Sequence, residues 1–141
     1  MLKETVGFMG AGKMGEALAR GLLNARLVPA ERLRLSDSDT ARRRAVARHL
    51  GVRVLADNAA LLRASDVVVV ALKPAIVREE LPALAAAVEP RHLIISIAAG
   101  VTLAELEGVL PAGTRAVRVM PNTPSLVGCG AAAYALGRHA T

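Results

Sequence analysis

Three glycines stand between a short apolar run and a helix-patterned stretch near the start of the chain, in the segment VGFMGAGKMGEALARGLL from Val6 to Leu23. That junction leaves few folding options. Thr5 to Met9 is rich in β-formers, and from Met14 the apolar positions Met14, Ala17, Leu18, Leu22 and Ala25 fall at i, i+3, i+4, i+8 and i+11, one face of a helix. The segment therefore reads as strand, tight turn, helix. The alternation continues: RLRLSD is a second strand, a helix runs from about Thr40 to Leu50 and stops at Gly51, and VRVL is a third strand. A short helix near Asn58 to Arg63 precedes VVVVAL, a continuous apolar run of strand length, as expected of a parallel strand buried on both faces. KPAIVREELPALAAAV supplies a loop and helix, HLIISIAAG a fifth strand, Thr102 the cap of a short helix through Glu107, RAVRVM a sixth strand, and GAAAYAL a seventh.

Strands alternating with helices in this way predict an α/β fold, a doubly wound, mostly parallel Rossmann-type sheet with helices on both faces. At 141 residues the chain is one domain, 1–141, and its 53% apolar against 21% charged content excludes a disordered chain. Its core is aliphatic, because Phe8 and Tyr134 are the only aromatics. In such a sheet ligands bind beyond the carboxyl ends of the strands. GAGKMG, SDSD, LKPA, AAGV and MPNTP all follow predicted strands and so gather on one edge.

Gly10, Gly12 and Gly15 form G-x-G-x-x-G, a weak signal alone but a meaningful one between a strand and a helix. Gly10 permits the tight turn, Gly12 lets a pyrophosphate approach the backbone, and Gly15 lets helix pack closely on strand. The helix start presents free N–H groups and a positive dipole end to the phosphates, with Lys13 either adding a charge or pointing to solvent. Asp37, at the end of the second strand, is placed to bind a ribose 2′-hydroxyl of NAD, whereas Ser36, Ser38 and Arg42 to Arg44 are suited to a 2′-phosphate of NADP. Both readings stay open, with helix capping by Ser38 or Asp39 as a third role for this loop.

The net charge of +6 raises nucleic acid as a partner. The arginines are instead spread along helix faces, only ARRRAVAR is a cluster, and base-stacking aromatics and nucleic-acid motifs are missing, so no nucleic-acid partner is expected. Cys129 is alone and reads as a small buried residue, which excludes a disulfide framework or a cysteine-rich metal site and fits a cytoplasmic protein. No signal-peptide pattern or membrane span is present. His49, His92 and His139 have no metal or triad spacing and read as surface or helix-end residues. No catalytic residue is identifiable and no metal is expected.

Taken together, GFMGAGKMGEALARGLL, ALKPAIV, ISIAAGVTLAELE and VRVMPNTPSLVGCGAAAYA resemble the cofactor half of pyrroline-5-carboxylate reductase, in that family's order and spacing, over nearly the whole chain. The resemblance implies NADP- or NAD-dependent reduction of Δ1-pyrroline-5-carboxylate to L-proline, NADP slightly favoured, with hydride passing to the C=N carbon of the small-molecule substrate. It implies cofactor contacts at Met9, Gly10, Ala11, Gly12, Lys13, Met14 and Gly15 around the pyrophosphate, and at Ser36, Asp37 and Asn58 toward the adenosine. Ala71, Leu72, Lys73 and Pro74 with Ile97, Ala98 and Ala99 would line the way to the nicotinamide, and Asn122 and Thr123 a substrate-side loop. Pro74 stiffens its loop and Lys73 can place an ammonium near phosphate or ribose. Ala98 to Gly100 leave room for a flat ring, or else simply pack strand on helix. The family's helical second domain, which carries substrate loops and makes a homo-oligomer, is expected to lie outside this chain, which alone is expected to be inactive. Lys13 and Leu72 depart from the commoner family residues. The competing readings are a non-catalytic dinucleotide-binding module and another NAD(P)-dependent dehydrogenase domain.

Overall fold

A computed structural model describes residues 1–141 and contains seven strands in one sheet: β1 (Val6–Met9), β2 (Leu33–Ser36), β3 (Arg53–Leu55), β4 (Val67–Val70), β5 (Leu93–Ser96), β6 (Arg115–Pro121) and β7 (Ala132–Leu136). Their order is β3-β2-β1-β4-β5-β6-β7; all pairs are parallel except β6 with β7. The helices are α1 (Lys13–Asn24), α2 (Thr40–Leu50), α3 (Asn58–Arg63), α4 (Pro74–Leu84) and α5 (Leu103–Val109). The doubly wound, mostly parallel sheet is thus the fold expected of the repeated strand–helix pattern.

Strand residues alternate between the two faces. In β4, Val68 and Val70 join one apolar cluster with Leu61, Leu62, Val77, Leu81 and Leu106, while Val69 joins a second with Val6, Phe8, Leu33, Leu35 and Val46. The run of four valines is therefore apolar toward both layers, each fully buried one worth about 1.5–3 kcal/mol. Local chemistry sets the helix ends. Asp39 caps α2 by accepting from the amides of Ala41 (2.8 Å) and Arg42 (3.2 Å), and Gly51 ends it at φ +67°. Asp57 caps α3, and Thr102 with Glu105 forms a reciprocal capping box on α5. Capping falls to Asp39 and not to Ser38.

Three expectations are corrected. Ala25 lies past the end of α1 and is exposed, so the buried stripe of that helix is Gly15, Ala17 and Ala19, small residues that bring it close to the sheet. Cys129 is exposed, because the loop carrying it lies outside both clusters. His92, just before β5, is fully buried: its position at the foot of the sheet puts α3 and the β4 entry against it. No helix is long and apolar enough to cross a membrane.

Candidate functional site

β1 and β4 are neighbours although the chain visits β2 and β3 between them, so the winding direction reverses there. Loops leaving such a pair diverge to opposite faces and open a crevice at the carboxyl ends. A groove of about 680 Å³ occupies that place, with Gly10, Gly12, Ala71, Leu72 and Lys73 at one end. It continues past Ser36, Asp37 and Ser38 to Ala56, Asp57, Asn58, Ile76 and Glu80.

The three glycines have three separate causes. Gly10 has φ +98°, and a Cβ there would lie 2.7 Å from the Ala71 carbonyl oxygen, so the turn excludes any side chain. A Cβ on Gly15 would lie 2.4 Å from the Gly10 oxygen; this is the close approach of α1 to its own turn. Gly12 is the opposite case, since nothing in the protein lies within 4 Å of where its Cβ would be. Its side-chain direction is open although it borders the groove. Gly12 also caps α1 with no side-chain acceptor, and no protein group accepts from the amides of Lys13, Met14 and Gly15; the first paired amide is that of Glu16, which donates to the Gly12 carbonyl (2.9 Å). Unpaired N–H groups at the start of a helix are an anion site reinforced by the dipole.

Long-range polar contacts hold this turn. The Ala11 amide donates to Asp37 Oδ2 (3.2 Å), and the Asp39 amide donates to Asp37 Oδ1 (2.9 Å). Arg42 Nε donates to the Ala11 carbonyl while its Nη2 pairs with Glu16 Oε2, and His49 stands 3.3 Å from the other Glu16 oxygen. Arg43 donates to the carbonyls of Asp37 and Ser38 and to Thr40 Oγ1. Both oxygens of Asp37 and two of the three clustered arginines thus brace the loop, and Ser38, exposed, borders the groove. Ser36 is fully buried and donates at 2.6 Å to Asn58 Oδ1, whose Nδ2 donates to Glu80 Oε2.

Of the other residues singled out in the sequence, Met9 and Ala11 are buried supports of the turn, and Lys13 is exposed on the first turn of α1, where Met14 is half-buried. Pro74 opens α4 at its first position, where a missing N–H costs nothing. The Ile97 amide donates to the Val70 carbonyl (3.1 Å), extending the sheet toward the crevice; Ala98 is packed in the core, and Ala99 is exposed. Asn122 accepts from the Ala131 amide (3.0 Å) and Thr123 is exposed; neither borders the groove. Their loop instead meets α1 around a second concavity of about 530 Å³ lined by Leu18, Leu22, Pro121 and Leu126. Sequence reasoning passed over four groove residues. Ala56 and Asp57 follow a strand and were detectable by the carboxyl-end rule, whereas Ile76 and Glu80 sit on the shoulder of α4 with no motif to mark them.

The opposite edge carries a different cluster. Asp66 accepts from the Thr5 amide (2.9 Å) and pairs with Arg91 (2.9 Å), which also pairs with Glu89. The Thr5 amide, aided by Arg91, holds the Asp66 carboxyl below the usual range. Burial pushes the His92 imidazole down, and its Nδ1 accepts from the Glu89 amide (2.8 Å) while Nε2 has no partner. These groups stand at the amino ends of β4 and β5, where parallel sheets place stability and not ligands.

The fold and the glycine turn at the switch point define a Rossmann-type domain of the dinucleotide-binding class. The chain belongs to the family described as NADP oxidoreductase, coenzyme F420-dependent, whose model matches residues 5–100. It is 41% identical over 141 residues to the pyrroline-5-carboxylate reductase of Methanosarcina acetivorans, covering 100% of this chain and 52% of that protein. To the Glycine max enzyme of the same name it is 39% identical over 137 residues, covering 97% and 50%. The crystal structure of Plasmodium falciparum pyrroline carboxylate reductase with NADP bound superposes with a TM-score of 0.87 at 32% identity, covering 100% of this chain and 51% of that one. A Coxiella burnetii pyrroline-5-carboxylate reductase gives 0.89 at 30% identity, covering 99% and 52%. The chain spans about half the length of the relatives it matches.

Proposed function

We propose that residues 1–141 form the NAD(P)H-binding domain of an oxidoreductase that reduces Δ1-pyrroline-5-carboxylate to L-proline. The observation that carries this reading is the unpaired first turn of α1, opening on a groove at the switch point beside a Gly12 whose side-chain direction is empty. The names of the similar proteins support the substrate.

The residues present fit a dinucleotide. The amides from Gly12 to Gly15 hold the pyrophosphate, Lys73 adds positive charge across the groove, and Asp37 with Arg42 keeps the turn in place. Ser36 and Asn58 shape the adenosine end. Ala71 to Pro74 and the backbone of Ile97 to Ala99 flank the path toward the nicotinamide, with Asn122 and Thr123 on the substrate side. When bound, the reduced cofactor supplies the hydride that the electrophilic C=N carbon accepts. No side chain of this chain is assigned an acid or base role, because orientation of the two reactants supplies much of the barrier lowering. NADP is favoured over NAD: the Asp37 carboxylate is turned to backbone amides, and Ser38, exposed, borders the groove. The substrate half and the homo-oligomer contact belong to a further domain, and the enzyme works in the cytoplasm.

Titration of NADPH and then NADH into the 141-residue protein, followed by nucleotide fluorescence, tests the cofactor part. Saturable binding with NADPH tighter is expected; absence of binding to both overturns it. Joined to the C-terminal half of the Methanosarcina relative, the domain is expected to oxidise NADPH only when Δ1-pyrroline-5-carboxylate is supplied.

A further inference from the structure

The groove is chemically divided. Its glycine end offers unpaired amides, a helix start and Lys73, whereas its far end is bordered by Asp57 and Glu80. Carboxylates there repel phosphate and suit a neutral group that donates hydrogen bonds. Ile76 and Glu80 lie one turn apart on α4 and both border the groove, while Val77 and Leu81, one residue on, are buried in the core. An apolar side chain and an acceptor are therefore stacked along α4 on a groove that Ala56 and Asp57 also border. Asp57 uses Oδ1 to cap α3 at the Ala60 amide and leaves Oδ2 without a partner, but no other side chain orients it. Glu80 is half free: Oε2 accepts from Asn58, and Oε1 has no partner in the protein. Ser36, by donating to Asn58 Oδ1, fixes the amide so that its Nδ2 side meets Glu80 and holds that carboxylate in place.

We propose that Glu80 selects an adenine dinucleotide by accepting a hydrogen bond from the 6-amino group of the base, with Ile76 against the ring face. The inference rests on the dinucleotide reading above and names a specificity residue within it. Adenine offers an N–H donor at position 6, where hypoxanthine offers an oxygen acceptor that a carboxylate repels.

The test is a pair of fluorescence titrations, NADPH against reduced nicotinamide hypoxanthine dinucleotide phosphate, on the unaltered protein and on Glu80→Ala. The unaltered protein is expected to prefer NADPH by roughly tenfold or more, the range of a hydrogen bond to a charged group, and Glu80→Ala to bring the ratio close to one. Thermal melting checks that the variant is folded. The ratio is the readout, so a variant that loses affinity for both nucleotides equally overturns the proposal, as does an unaltered protein that binds both alike. Absence of binding to either nucleotide overturns the dinucleotide reading itself, a different and recognisable result.

Discussion

Gly12→Val separates a ligand role from a folding role at the glycine turn. Gly12 has φ −65° and ψ −179°, extended backbone that valine adopts readily, and its Cβ meets nothing within 4 Å. The folded protein without ligand is therefore expected to lose no more than about 1 kcal/mol, mostly from replacing glycine at a helix N-cap. Near this chain length that is a fall in Tm of about 3 °C. The same side chain fills the approach to the first-turn amides. Losing two hydrogen bonds to a charged phosphate, at about 1.5–3 kcal/mol each, weakens NADPH binding by more than about 100-fold. Gly15→Ala is the counterpart: its Cβ would lie 2.4 Å from the Gly10 oxygen, so turn and helix must part, at roughly 1–3 kcal/mol of stability. Melting without nucleotide and NADPH titration, run on both variants, read the two effects separately. A Gly12→Val protein that binds NADPH as the unaltered protein does refutes the assignment of the open turn to phosphate.

Asp37→Ala is expected to lower stability without any nucleotide, because the Ala11 amide, in a fully buried residue, loses its only acceptor; the cost is about 1–3 kcal/mol, or a Tm lower by roughly 3–9 °C. An unchanged Tm with weakened NADH binding would instead make this carboxylate a ribose ligand. His92 is held neutral by burial, its pKa below the unfolded value, so the unfolded chain binds the extra proton first as pH falls. Stability is expected to be full above about pH 6.5 and to decline below it by up to about 1.4 kcal/mol per pH unit until the folded pKa is reached. His92→Asn keeps an acceptor for the Glu89 amide and removes the titration, and parallel Tm–pH curves between pH 7.5 and about 5 for the two proteins would disprove this account.

What the chain's order determined by itself is the alternation of strand and helix, and with it the sheet. Val67 to Val70 had to be a strand buried on both sides, Ser38 or Asp39 and Thr102 had to start helices, and Gly10, Gly12 and Gly15 had to form a turn, because these are rules of spacing and backbone conformation that act within a few residues. The carboxyl-end rule then brought the loops after β1, β2 and β4 to the groove, while the loop of Asn122 and Thr123 lies away from it. Which atom each side chain faces was decided only by tertiary structure. Asp37 was legible as an acid after the second strand, yet nothing local says that its partner is the Ala11 amide, 26 positions away, whose turn it braces. Arg42 and Arg43 were legible as a basic cluster, and folding spent them on backbone carbonyls. His92 looked like a surface residue because nothing local says that Leu62 and Ser65 will close over it. Ile76 and Glu80 lie on a helix whose pattern reports only which face is buried; that its shoulder borders the groove depends on how α4 sits beside α3, where Glu80 meets Asn58, a matter of packing between segments that the spacing of apolar residues does not encode.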